Sequence, residues 1–180
     1  ASAADPLAGI TIEPEINTPK FDRASQYGDW IDADHDGEDT RQEVLIAEFL
    51  IPVTTNAAGK VVAGLWVGPY ASFITRDPKA LDIDHMVPLN EAHRSGGHSW
   101  GPDRRQAYAN SLADPTHLVA TWHSTNRSKG DKDPANWMPP NRSYWCDYLN
   151  NWIAIKREWS LSMDDAEAKA IRKGLKVCDR

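Results

Sequence analysis

The chain has 180 residues, 41% of them hydrophobic, and a formal net charge of −6. That length suits one domain with a sizeable core, and no run of about eighteen apolar residues exists to form a membrane-spanning helix. Net acidity argues at first against a polyanionic partner. However, twelve acids face three bases in residues 1–56, whereas residues 76–157 carry eleven bases and nine acids, so the centre of the chain can still meet phosphates.

Ala1-Ser2-Ala3-Ala4-Asp5-Pro6 reads as what remains after a leader is cut at a small-residue site, which predicts a secreted, extracellular protein. Residues 1–20, rich in Pro, Ala and Thr, predict an extended arm, and residues 21–180 a single domain. An acidic turn, Asp32 to Asp39, leads into Thr40–Leu50, whose apolar positions 45, 46, 49 and 50 recur at helical spacing. Pro52 is expected to end that helix. Val61–Val67 reads as a strand, with Gly68-Pro69 as the turn after it.

A second strand is expected from Ala80 to Val87, a short helix over 89–94, and a break at Gly96-Gly97. Pro102 fits the first turn of a helix ending near Asn110. His117–Trp122 is a third strand, and Ser124 is placed to cap the helix that carries Asn126, Arg127 and Lys129. Asp133-Pro134 starts a further helical turn, stopped by Met138-Pro139-Pro140. Residues 142–159 form the clearest helix, and the last begins near Ser162–Asp165 with acids in its first turn. The class is α+β, helix-rich, around a small antiparallel sheet. Cys146 and Cys178 are too few for a zinc site. In an exported protein they predict a disulfide tying the last helix to the one before it, the alternative being two buried thiols.

The chemistry concentrates in two short runs, Leu81-Asp82-Ile83-Asp84-His85-Met86-Val87-Pro88-Leu89 and Asn126-Arg127-Ser128-Lys129-Gly130. A carboxylate and an imidazole at the end of one strand, with an amide oxygen and two cations on a second element, suit metal-assisted attack on a phosphodiester.

Strand ending in Asp-His, connection, strand, then a helix opening near Asn126: this order resembles the HNH, or ββα-metal, nucleases. More closely it resembles their secreted bacterial branch, of the GmrSD C-terminal-like type. The matching pieces here are Ile83–Leu89, Ala109-Asn110-Ser111 and Asn126 through Trp137, within a likeness spanning about residues 30–178. The resemblance implies His85 as general base, Asp84 and Asn126 as ligands of a single Mg²⁺ or Mn²⁺, and products with 5′-phosphate and 3′-hydroxyl ends. His85 suits the role because a neutral imidazole is present near pH 7.

His117 falls at the middle position of the pattern, often Asn, either as a brace between the strands or as a third ligand. Arg127 is placed beside the reaction, and Glu91 is expected to orient a metal-bound water or to be a solvated acid. Arg94, Arg104, Arg105 and Lys129 are candidate phosphate contacts, with a solvated helix face as the other reading of Arg104 and Arg105. Some members of the family it resembles also carry Cys near positions 37 and 60, where this chain has Gly37 and Lys60, pointing to a missing disulfide.

Asp32, Asp34, Asp36, Gly37, Glu38 and Glu43 fit the D-x-D-x-D-G-x₅-E spacing of a calcium loop, against a solvated acidic turn. His35, His93, His98 and His123 show no zinc-hydrolase spacing. The expected protein is therefore a monomeric endonuclease acting on DNA, with RNA open, using Mg²⁺ or Mn²⁺ and with Ca²⁺ as a structural candidate. The competing readings are a calcium-stabilised nucleic-acid-binding module with an inactive site and a toxin domain.

Overall fold

The computed structural model describes residues 5–178, so the small-residue start at 1–4 lies outside the described residues. The elements in chain order are α1 (Arg23–Gln26), α2 (Thr40–Ala47), β1 (Ile51–Thr55), β2 (Val61–Gly68), β3 (Phe73–Thr75), β4 (Leu81–His85), α3 (Leu89–Arg94), α4 (Pro102–Ala109), β5 (Leu118–Trp122), α5 (His123–Lys129), α6 (Trp145–Glu158) and α7 (Asp165–Leu175). The protein is a small α+β fold. Among the described residues no helix is long and apolar enough to cross a membrane.

The strands form two antiparallel sheets instead of one. One has the order β1-β2-β3 and the other pairs β4 with β5. The helix expected through Leu50 stops at Ala47, and Pro52 lies within the strand that follows. Because β1 is an edge strand, a residue without an N–H is tolerated there. The predicted start of α5 also moves: Trp122 is its N-cap, without a side-chain bond, so Ser124 does not cap it.

Leu81 pairs with Trp122, Ile83 with Ala120 and His85 with Leu118, and directly opposed residues share a face. Leu81, Ile83, Leu118 and Ala120 therefore face a core that also contains Val44, Leu45 and Trp66. Asp82 and Asp84 lie on the other face with their partners Thr121 and Val119. β5 runs directly into α5, and this β4–β5–α5 unit positions the site.

A second core, built on α6, gathers Tyr148, Leu149, Trp152, Ile153 and Ile155 with Met86, Tyr108 and Ile171. Its centre holds charge. The Lys156 ammonium, fully buried, contacts Glu91 Oε1 at 2.6 Å, Ser95 Oγ at 2.8 Å and Glu167 Oε2 at 3.1 Å, so every buried charge there has a partner. The N-terminal segment packs onto this core. Leu7 is 2% exposed, and Ile12 forms a bridge with Met163. Cys146 and Cys178 form a disulfide, with Cα atoms 5.7 Å apart, tying the start of α6 to the chain just beyond α7. Gly59 abuts the Gly37 carbonyl, so the β1–β2 turn packs on the acidic loop.

Candidate active site

β4 ends in Asp84-His85, and Asn126 and Arg127 sit on α5. All four line one cleft of about 290 Å³, together with Phe21, Arg23, Asn90 and Asp131. Sequence neighbours on a strand point to opposite faces, yet Asp84 and His85, the last two residues of β4, both line the cleft.

His85 is 6% exposed. Its Nε2 lies 2.8 Å from the Ala109 carbonyl. A carbonyl oxygen only accepts, so Nε2 carries the proton and Nδ1 the lone pair. Nδ1 has no hydrogen-bond partner among the described residues, and it is not sealed from solvent. The Trp30 ring lies parallel to the imidazole, with centroids 5.3 Å apart and planes at 12°. Tyr108 is also parallel to it, at 6.3 Å. Burial first, and then the neighbouring His117, hold the His85 pKa well below the ordinary histidine value. The ring is neutral at neutral pH, as a proton acceptor must be.

Asp84 Oδ2 accepts from the Tyr70 hydroxyl at 2.7 Å and from Lys129 Nζ at 2.5 Å. Burial pushes this carboxyl up, against the pull of Lys129, and the same burial pushes the Lys129 ammonium down, against the pull of Asp84. Oδ1 has no partner among the described residues and is not sealed. Asn126 donates Nδ2 to Asp82 Oδ2 at 3.2 Å, which leaves its amide oxygen to the cleft. A carboxylate oxygen and an amide oxygen are the hard donors that Mg²⁺ and Mn²⁺ prefer, so the residues present fit such an ion.

Several predicted residues are placed elsewhere. Lys129 is not a phosphate contact at the surface: it is 0% exposed, and its ammonium holds Asp84 and the carbonyls of His85 and Met86. Glu91 is not in the cleft to orient a water, nor is it a solvated acid. It is buried against Lys156, Ser95 and Arg94, and the Lys156 charge overcomes burial to hold its pKa down at about 2. Glu91 also groups with Glu15 and Asp133, but Arg94 and Lys156 already supply cations there. Arg94 is occupied by Glu15, Glu91 and Asp131, which removes it as a phosphate ligand. Arg104 lies over Trp100 and donates to the Trp159 carbonyl, and Arg105 donates to the carbonyls of Gly97 and His98. Both therefore brace loops away from the cleft.

His117 donates Nε2 to the Tyr108 carbonyl at 2.7 Å, and its own carbonyl accepts from Met86 N. It ties α4 and β4 to the start of β5. Its Nδ1 is sealed without a partner, which leaves no open nitrogen for a metal in the cleft. The sequence reading missed Arg23 and Trp30. The Arg23 guanidinium carbon lies 5.7 Å from the Trp30 ring centroid. Arg23 and Arg127 are exposed on the cleft and have no ion-pair partner among the described residues. No spacing rule links residues 23 and 30 to 85, so the sequence offered no signal for them beyond an aromatic residue just ahead of the acidic turn.

That turn is folded as a loop around its own acids. Oxygens of Asp32, Asp34 and Asp36 all lie within 4.8 Å of one another. Gly37, at φ +96°, donates its N–H to Asp32 Oδ2 at 3.0 Å, and a side chain there would be strained. Glu38 N donates to Asp36 Oδ1. Glu43 sends a carboxylate oxygen inward that is sealed and unpartnered. Its pKa is raised by burial and then by Asp34, Asp36, Asp32 and Glu38.

A chain from Arthroderma benhamiae described as an "Uncharacterized secreted protein" is 33% identical over 178 residues, covering 99% of this chain and 85% of that one. With the disulfide, a bond of oxidising compartments, this marks the protein as secreted. No solved structure matches the chain. Residues 29–173 match the family described as "GmrSD restriction endonucleases, C-terminal domain". Because that match spans most of the chain and contains the whole β4–β5–α5 unit, the protein belongs to the family of GmrSD restriction endonuclease C-terminal domains.

Proposed function

We propose that this secreted protein is a metal-dependent endonuclease of the HNH, or ββα-metal, type that hydrolyses DNA with little sequence preference. The observation that carries the reading is the convergence of three groups on one cleft: the open Nδ1 of His85, the free oxygen of Asp84 and the amide oxygen of Asn126. Asp84 and Asn126 would hold a single Mg²⁺ or Mn²⁺, which when bound supplies Lewis-acid stabilisation of the scissile phosphate and the departing 3′-oxygen.

The remaining work falls to the chain's own atoms. His85 Nδ1 takes a proton from the attacking water as its oxygen bonds to phosphorus. The bond from phosphorus to the 3′-oxygen breaks and that oxygen takes up a proton from solvent, leaving 5′-phosphate and 3′-hydroxyl ends. Ala109 O and Trp30 keep the ring from turning its protonated Nε2 toward the water. Arg127 and Arg23, exposed on the cleft, hold flanking phosphates. Lys129, behind the cleft, favours the ionised form of Asp84 against its burial.

Plasmid digestion tests this directly. Purified protein is expected to nick and linearise DNA with Mg²⁺ or Mn²⁺, to stop with EDTA, and to lose cleavage in His85→Ala while still binding DNA. Absence of cleavage with either metal would favour a nucleic-acid-binding module with an inactive site, and wild-type turnover by His85→Ala would remove the base assignment. An RNA substrate in the same assay determines whether the sugar matters.

A second site accompanies this reading. We infer that the 32–43 loop takes Ca²⁺ in a structural role, supported by the converging carboxylates of Asp32, Asp34 and Asp36, with Glu43 at the twelfth position of the loop near enough to feel their charge.

A further inference from the structure

Asn110 is absent from the catalytic reading above, yet its side chain joins the two pieces of structure that hold the His85 ring. Asn110 caps the C-terminus of α4, immediately after Ala109, whose carbonyl accepts the hydrogen bond from His85 Nε2–H. Its amide oxygen accepts from Ile31 N at 3.1 Å and from Thr40 Oγ1 at 2.9 Å. Its amide nitrogen donates to the Asp29 carbonyl at 3.3 Å and to the Gln106 carbonyl at 3.2 Å. One side chain therefore ties the Asp29–Ile31 backbone to the last turn of α4. Trp30 lies between those two tethered residues, and its ring is parallel to the imidazole.

We propose that Asn110 and Trp30 are positioning residues for the His85 base, holding its ring plane and its Nε2–H tautomer so that Nδ1 faces the scissile phosphate. The physical basis is geometric. A neutral imidazole carries its proton on one nitrogen only, and a flip about Cβ–Cγ puts carbons where the nitrogens were, so one orientation and one tautomer are useful here. The Ala109 carbonyl rewards one orientation with a hydrogen bond, provided that α4 keeps its end in place. Trp30 fills the space over the ring into which it would tilt. Neither residue touches the reacting atoms, so both act on turnover, although Trp30 also lies under the Arg23 guanidinium and Asn110 does not. The role rests on the nuclease reading and adds two residues that the Asp-His and Asn-Arg-Ser-Lys-Gly runs do not contain.

The test compares Asn110→Ala, Trp30→Ala and Trp30→Phe with the wild-type chain, using a labelled DNA duplex at saturating Mg²⁺. Both alanine variants are expected to lose about 10- to 100-fold in kcat, with KM within about threefold of wild type in Asn110→Ala, while Trp30→Ala, which also removes the plate under Arg23, is expected to raise KM as well. Trp30→Phe, which keeps an aromatic plate, is expected to recover most of the rate. A second readout does not need activity: ¹⁵N-labelled histidine spectra are expected to show a single Nε2–H tautomer for His85 in the wild type and a mixture in the alanine variants.

A folded Asn110→Ala with wild-type kcat, a loss confined to KM, or an unchanged tautomer would overturn the proposal. If Asn110→Ala does not fold, the two Trp30 variants decide, and equal activity in Trp30→Ala and wild type sinks it. If the wild type itself cleaves nothing, the nuclease reading fails separately, and the spectra alone judge whether these residues fix the ring.

Discussion

Lys129 Nζ lies 2.5 Å from Asp84 Oδ2 with both side chains buried, so the lysine that looks like a phosphate contact in Asn126–Gly130 is instead the internal counter-ion of a candidate metal ligand. Removing one member of such a pair strands the other charge in a dry interior, which costs about 3–5 kcal/mol. Lys129→Met is therefore expected to lower thermal stability by that order. It would also remove the donor to the His85 and Met86 carbonyls. If Lys129 served the DNA backbone instead, the variant would melt like wild type and bind DNA with a shallower salt dependence.

The salt dependence should belong to Arg23 and Arg127, exposed on the cleft without ion-pair partners among the described residues. Each phosphate contact that is lost reduces the slope of log K against log salt by roughly 0.9. Arg23→Ala and Arg127→Ala are each expected to flatten the slope by about one unit in a DNA-binding titration without added metal. Arg104→Ala, whose guanidinium is turned onto Trp100 and Trp159, is expected to leave it unchanged.

What separates these arginines is not visible in a linear reading. The β4–β5–α5 unit was legible because its signals are local: an apolar run ending in Asp84-His85, another at Leu118–Trp122, and Asn126 four residues after that strand. Phe21 and Arg23 join the cleft from a segment held in place by contacts such as Asn110 with Ile31, and no periodicity encodes that. Burial was equally hidden. Glu91, Arg94 and Lys129 have the composition of a solvated surface, and only packing against Lys156, Glu15 and Asp84 turns them inward. The strand at Ile51–Thr55 escaped notice because Pro52 reads as a helix stop, and β3 because three residues carry too little pattern.

Occupancy of the acidic loop can be tested apart from catalysis. Ligand that binds only the folded chain adds about 2.7 kcal/mol at a hundredfold excess over Kd, or roughly 5–10 °C in Tm for a protein of this size. Millimolar Ca²⁺ is expected to raise Tm by that order in wild type but not in a chain carrying Asp32→Ala with Glu43→Gln. Equal melting of wild type with and without Ca²⁺ would leave the loop as a turn held by its own backbone hydrogen bonds.

Glu48 sets a pH dependence that belongs to the fold and not to the reaction. Its Oε2 accepts from Ala120 N at 2.9 Å, and burial pushes its pKa from 4.5 up to about 7, the hydrogen bond opposing this only in part. The folded chain therefore holds this proton more tightly than the unfolded chain does. The contribution is present in full below pH 4.5 and is lost as pH rises through about 7. Glu48→Gln keeps an acceptor for Ala120 N and removes the charge. It is expected to melt higher than wild type at pH 8, by up to about 3 kcal/mol, and to converge with it near pH 4. Parallel melting curves across that range, or a variant less stable at pH 8, would mean that the ionised carboxylate is solvated in the folded protein.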